Sequence, residues 1–251
     1  MPNEGGIMNE TIDPTGRTEH TSAGGHDRRN FFRLAGLGGA AVALAACGVD
    51  PTRATAVAGS AAASTAAATG GGSVTYDFGL TNDGGILNFA YAMEQLGEAF
   101  YANATSNAQF ATIFSAGEQR ILRDFLGHET AHRDLFKAAL GAAGIVVTPN
   151  FSSVNFADRT SVLTTARTFE NTCVAALNGA GPLLHVAANL ALAGKLVSVE
   201  ARQASALNDL LSPKSGAFAP SDFDMGDTPQ QVVAIVQPFV VEKINVINVT
   251  T

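Results

Sequence analysis

The chain has 251 residues, of which 46% are hydrophobic, and this is enough for one core of good size or two small ones. The formal net charge is −7 and nothing resembles a basic stripe, so the sequence argues against nucleic acid as a partner. Two cysteines cannot form a disulfide framework. Function must therefore be sought in particular side chains rather than in overall charge.

The first 47 residues resemble an export signal of the twin-arginine type. Arg28 and Arg29 precede an apolar run that is too short for a permanent transmembrane helix. The run ends in the four residues LAAC, which are similar to a bacterial lipobox, so we predict that Cys47 is lipidated. A lipid on Cys47 would tether an exported protein to a membrane surface of the cell envelope. In the alternative, a plain signal peptide is cleaved near the same alanines and Cys47 has no role.

Residues 48–79 are rich in Ala, Ser, Thr and Gly, so we predict a flexible linker that buries too little apolar surface to fold. The helical pattern begins at Asn82, where Asn82 or Asp83 can cap a helix. We place the folded domain at residues 80–212 and a C-terminal tail at 213–251. Thr228 and Pro229 are typical of the start of a short helix in that tail.

Apolar residues recur with helical spacing in four segments between residues 80 and 212. The predicted helices cover about residues 82–103, 115–142, 157–180 and 188–211. Ser115 followed by Glu118 matches a capping box at the start of the second helix. The stretch GAAGIVVTPNFSSVNF between the second and third helices is long enough to run back along a bundle. We therefore predict an all-α four-helix bundle made of two helical hairpins.

Each predicted helix places one carboxylate on its otherwise apolar side. In chain order these are Glu94, Glu129, Glu170 and Glu200. His132 follows Glu129 by three residues and Gln203 follows Glu200 by three, so each pair shares a helix face. A rise of about 1.5 Å per residue, counted from the hairpin turns, brings the four carboxylates to nearly one level. Divalent cations would remove their mutual repulsion, so the pattern predicts a metal site.

A glutamate from each of two helices and Glu-x-x-His from each of the other two is the di-iron pattern of ferritin-like proteins. The segments ILNFAYAMEQLGEAFY, GHETAHRDLF and VSVEARQASALNDLL most resemble the exported ferritin-like family that includes desiccation-related proteins. Tyr101, seven residues after Glu94, is similar to the first helix of ferritins and rubrerythrins. The resemblance covers about residues 80–212 and implies a ferritin-like bundle that binds iron or manganese, with Glu129 and Glu200 bridging two ions.

The fourth helix departs from the family pattern, because Gln203 stands where the resemblance implies a histidine. An amide oxygen is a weaker ligand for iron or manganese than imidazole. We expect the first metal position to be complete, with Glu94, Glu129 and His132 as ligands. We expect the second to bind more weakly or not at all, with Glu170, Glu200 and Gln203 as ligands.

Ordinary alternatives exist for several of these side chains. Glu98 shares a helix side with Glu94 and could replace it as a ligand. Tyr101 and Cys173 suit core positions, and His128 and His185 suit the surface. The whole set could also be a hydrogen-bonded network that binds no metal.

Two functions therefore remain open. The first is an exported metalloprotein that reacts with oxygen or peroxide. The second is a non-catalytic envelope protein for protection under stress, with a vestigial metal site. The expected partners are metal ions and a membrane surface, and the sequence leaves open whether the chain forms a homodimer.

Overall fold

The computed structural model describes residues 71–249, so the export signal, Cys47 and linker residues 48–70 lie outside it. The named elements are β1 Ser73–Asp77, α1 Gly84–Ser106, α2 Phe110–Ile113, α3 Ala116–Leu140, α4 Arg159–Ala180, α5 Ala187–Leu211, α6 Pro229–Val236 and β2 Lys243–Ile247. None of the helices within 71–249 is long and apolar enough to cross a membrane.

The four long helices form the predicted bundle. α1 packs along α3, α4 packs along α5, and α1 also contacts α4, so two helical hairpins lie against each other. The ends of these helices agree with the predicted ends to within about three residues. The all-α four-helix bundle in two hairpins that the apolar periodicity predicts is therefore confirmed.

The predicted capping box at the start of α3 is present and also joins the two hairpins. The backbone N–H of Glu118 donates to Ser115 Oγ at 3.3 Å, and the N–H of Ser115 donates to Glu118 Oε2 at 2.8 Å. Arg159, the first residue of α4, donates from Nε to Glu118 Oε1 at 2.8 Å. The carboxylate of Glu118 thus accepts a hydrogen bond from the N-cap residue of α3 and also holds the start of α4 beside it.

Asp83 has a different role from the one predicted. Asp83 occupies the N-cap position of α1, but its side chain makes no capping hydrogen bond there, and Asn82 Oδ1 instead accepts from the N–H of Gly84 at 3.0 Å. Asp83 has a left-handed φ of 60° and turns its buried carboxylate toward the start of α5. There it accepts from the N–H groups of His185 at 2.8 Å and Val186 at 3.0 Å. The residue that precedes α1 therefore fixes where α5 begins.

The prediction of a flexible linker up to residue 79 is wrong for residues 73–79. β1 pairs in parallel with β2, from Ser73 opposite Lys243 to Asp77 opposite Ile247. Val74, Tyr76 and Phe78 are buried against the bundle. Their alternation is a strand signal, but a short one that directly follows the low-complexity stretch and is hard to separate from it in the sequence. The C-terminal segment likewise contains the predicted helix, α6, and in addition the strand β2.

The apolar core lies on both sides of the level of Glu94. Toward the start of α3, aromatic rings pack edge to face, including Phe100 against Phe169 with centroids 5.3 Å apart. On the other side, residues of α1 pack beneath the small sheet and α6, among them Phe89 and Met93. The bundle is therefore filled above and below the polar level, and this arrangement keeps water from that level.

We expect Asp83→Asn to lower the free energy of unfolding by about 1–2 kcal/mol, because the amide keeps the left-handed backbone but loses one of the acceptors for two partly buried N–H groups. Asp158→Asn is the matched control. Asp158 is the exposed N-cap of α4, where asparagine caps equally well, so stability should hardly change. Urea unfolding of both variants measures the difference, and equal small effects would contradict the role of Asp83.

Candidate metal centre

All six predicted side chains meet at one level of the bundle. They are Glu94 on α1, Glu129 and His132 on α3, Glu170 on α4, and Glu200 and Gln203 on α5. Each of the four carboxylates is at most 2% exposed, and the side chain of His132 is 12% exposed. Burying this many ionisable groups lowers the stability of the fold unless each group has a compensating partner. The partners of each group therefore decide what the site can do.

Four of these residues form a group with the dimensions of a metal site. Glu94, Glu129, His132 and Glu200 each offer one ligand atom, and these atoms lie within 4.8 Å of one another. His132 Nδ1 is 2.8 Å from Glu200 Oε1 and 3.4 Å from Glu94 Oε2. These three buried atoms have no hydrogen bond of good geometry within residues 71–249. A cation between these atoms would satisfy all three of them, because they converge without a well-directed hydrogen bond.

Burial and neighbouring charges control protonation in this group. Burial raises the pKa of Glu94 to about 7, although contact with His132 opposes the shift. Burial alone would lower the pKa of His132, but its contacts with Glu200 and Glu94 outweigh burial and raise the pKa to about 10. Burial, with the charges of Glu170 and Glu200, holds the pKa of Glu129 well above its usual range. Protons therefore offset the carboxylates when no metal is bound, and a cation would displace them.

The amide of Gln203 lies between the remaining carboxylates, with its nitrogen toward them. Nε2 donates to Glu129 Oε1 at 2.8 Å and to Glu170 Oε2 at 3.0 Å, and it lies 3.4 Å from Glu200 Oε2. Gln203 Oε1 faces His128 Nδ1 at 2.8 Å. The oxygen of Gln203, the atom expected to bind a metal, is therefore turned away from the carboxylates and toward His128 in this structure.

Glu170 has both oxygens engaged in hydrogen bonds. Tyr101 donates a short hydrogen bond from its hydroxyl to Glu170 Oε1, and Gln203 donates to Oε2. Burial, together with the charge of Glu170, raises the pKa of Tyr101 well above 10. Tyr101 thus remains a protonated donor, as expected of a buried aromatic residue with a satisfied hydroxyl. Glu170 lies beside the group of four but is tied to its own donors.

Comparison with known proteins decides the family. The family model described as ferritin-like domain matches residues 82–213. The chain belongs to the ferritin-like family. A search among curated proteins found no match. The family match spans α1 to α5 and ends before α6 and β2, so the four long helices and their site are the ferritin-like part of this protein.

Gly97 is a feature of this ferritin-like site that sequence reasoning missed. A Cβ atom on Gly97 would lie 2.4 Å from Glu129 Oε2 and 3.2 Å from its carboxyl carbon. The absence of a side chain lets the carboxylate of α3 reach α1 at this level. The sequence shows only a small residue on an apolar helix face, which is equally typical of close helix packing.

Other predicted alternatives are resolved by position. Glu98 is partly exposed and lies 2.8 Å from Arg133 in an ion pair, so it belongs to the surface and not to the site. His128 is exposed but contacts Gln203, and His185 contacts Asp83. Cys173 is buried and lies outside the group of four.

An apolar cavity of about 40 Å³ borders the centre on one side. Glu94 and Cys173 lie at its edge, and side chains of α1, α4 and α5 form its walls, including Met93 and Leu196. The cavity is lined almost entirely by apolar atoms, so it offers a water molecule few hydrogen-bond partners. It therefore strengthens the electrostatic interactions of the carboxylates beside it.

We expect Gly97→Ala to lower the free energy of unfolding by about 1–3 kcal/mol, because the new methyl group must displace the Glu129 carboxylate. The control is Gly127→Ala on α3, where an added Cβ meets no described atom within 4 Å. That change should stabilise the helix by about 0.5–1 kcal/mol. Urea unfolding of both variants makes the comparison. A gain in stability for Gly97→Ala would show that the contact between α1 and the Glu129 carboxylate does not require a glycine.

Proposed function

We propose that this ferritin-like protein binds a divalent iron or manganese ion through Glu94, Glu129, His132 and Glu200. The observation that carries the proposal is the convergence of three buried atoms, Glu94 Oε2, His132 Nδ1 and Glu200 Oε1. They lie in contact but make no hydrogen bond of good geometry within residues 71–249. Several buried carboxylates that share one imidazole are costly, and a cation among these atoms lowers that cost.

The chemistry of the donors supports this choice of metal. Carboxylate oxygens are suited to manganese and other hard ions, and imidazole is suited to iron and its neighbours in the first transition row. Structural zinc sites use mainly thiolate and imidazole ligands, and Cys173 lies outside the group of four. Three carboxylates with one imidazole therefore favour Fe(II) or Mn(II).

The residues of the chain would have distinct tasks toward such an ion. When bound, the ion supplies Lewis acidity or a change of oxidation state. Glu94 and Glu200 provide negative charge on either side of His132, and Gly97 leaves room for Glu129 to approach. Glu94 is buried, and the apolar lining of the cavity beside it limits its contact with water. Reaction with oxygen or peroxide, as the resemblance implies, would take place in this shielded position.

A second candidate function is a bundle that binds no metal and serves protection under stress. The hydrogen bonds from Gln203 and Tyr101 to Glu170 favour it, because they satisfy part of the site without any ion. In that case protonated His132 would neutralise Glu200 and Glu94, and the centre would be a relic. The two functions differ in whether the purified protein binds metal.

Melting temperature with and without Mn(II) or Fe(II) separates these functions. An ion at one hundred times its dissociation constant should stabilise the wild type by about 2.7 kcal/mol through mass action. Glu200→Gln should abolish the shift, because it removes a ligand charge from the centre of the group. Glu98→Gln is the matched control and should keep the full shift, because Glu98 pairs with Arg133 outside the site. No shift for the wild type, together with greater stability of Glu129→Gln, would establish the relic instead.

We also propose that the protein is exported and tethered to a membrane surface. The support is the sequence of the first 47 residues, in which Arg28 and Arg29 precede an apolar run that ends in LAAC at Cys47. A low-complexity segment then separates Cys47 from β1, so the bundle would stand off the membrane on a flexible linker.

We expect Cys47→Ala to release the protein from the membrane fraction, because the lipid attachment point is lost. Cell fractionation followed by immunoblotting measures the distribution. Replacing Arg28 and Arg29 together by lysine should instead block export without altering the fold, which provides a separate control for the signal. A wild-type protein found wholly in the soluble envelope fraction would rule out the lipid anchor.

A further inference from the structure

The two halves of the centre differ in whether their buried polar atoms are satisfied. In the first half, Glu94 Oε2, His132 Nδ1 and Glu200 Oε1 have no hydrogen-bond partner within the described range 71–249. In the second half, both oxygens of Glu170 accept hydrogen bonds, one from Tyr101 and one from Gln203. Only the first half therefore has buried atoms that still require a partner.

The nitrogen of Gln203 makes the contacts that a second cation would otherwise make. It lies 2.8 Å from an oxygen of Glu129, 3.0 Å from one of Glu170 and 3.4 Å from one of Glu200. A cation in this space would have to contact the same oxygens, and the amide group already fills it. An amide nitrogen donates two hydrogens and offers no lone pair to a metal.

His128 supports this orientation of the amide from the outer side. Its Nδ1 lies 2.8 Å from Gln203 Oε1 and can donate a proton to it. The reverse orientation would place the amide oxygen against oxygens of Glu129 and Glu170 and the amide nitrogen against His128. The hydrogen-bond network thus favours nitrogen inward and oxygen outward.

We propose that the amide of Gln203 closes the second metal position and that the centre holds a single ion, bound by Glu94, Glu129, His132 and Glu200. The proposal rests on the proposed function for the first position. Glu170 is then not a ligand of a second ion, and its oxygens accept hydrogen bonds from Tyr101 and Gln203 instead. The protein then departs from the two-metal pattern of its family through one side chain.

The test counts the ions bound by the full chain. Titration of metal-free protein with manganese(II) chloride, followed by dialysis and elemental analysis, should give one equivalent for the wild type. Gln203→His should give two, because imidazole is a ligand and no longer donates to two carboxylates at once. Electron paramagnetic resonance should show isolated Mn(II) in the wild type and magnetically coupled ions in Gln203→His.

Gln109→His is the control. It tests whether an added histidine binds metal by itself, wherever it stands in the protein. Gln109 is exposed at the start of α2, far along the chain from the ligands, so this variant should still bind one equivalent. If Gln203→His does not fold, Gln203→Glu offers a carboxylate of the same length and should also bind two.

The outcomes separate the two proposals. Two equivalents in the wild type would overturn the closure by Gln203 and leave the proposed metal binding intact. A folded Gln203→His that binds one equivalent would overturn the closure as well, because the amide would then not be what excludes the second ion. No binding by the wild type would instead refute the proposed function itself.

Discussion

The burial of four carboxylates at one level of a helical bundle is the constraint on which the rest of this structure depends. Each is at most 2% exposed, and their mutual repulsion in a medium of low polarity opposes folding. The surrounding residues are arranged to offset that cost, His132 by its positive charge and Gln203 and Tyr101 by donated hydrogen bonds. Aromatic and aliphatic residues above and below keep water away, so the compensation must come from these few side chains.

The two halves of the centre meet this constraint in different ways, and the difference bears on how the protein matures. A hydrogen bond from an amide forms as soon as the helices pack, whereas compensation by an ion waits for the ion to arrive. Gln203 therefore joins α5 to Glu129 on α3 and Glu170 on α4 in the metal-free state. The first half is thus held near its final shape beforehand, which lowers the cost of ordering ligands around a metal.

Helical periodicity predicted the convergence of the carboxylates, because a single polar residue on an apolar face has little freedom in where it points. It could not predict which end of Gln203 faces inward, since that depends on His128, an exposed residue of another helix. The role of the Asp83 side chain could not be predicted for a similar reason. Local sequence favours Asn82 or Asp83 as the cap of α1, but the carboxylate of Asp83 accepts from the start of α5, about one hundred residues later. The strand β1 was missed because its partner is distant in sequence and its neighbours are low in complexity.

The parallel pairing of β1 with β2 has a kinetic consequence. Val74 and Asn245, which contact each other across these strands, are 171 residues apart in the chain. Joining such distant segments of an unfolded chain costs conformational entropy. That cost becomes small only after the helices between them have packed and shortened the effective loop. The sheet should thus be among the last elements to form and should close over a finished bundle. Its edges would then open without disturbing the buried centre, so exchange of their amide protons would occur by local opening well below the free energy of global unfolding.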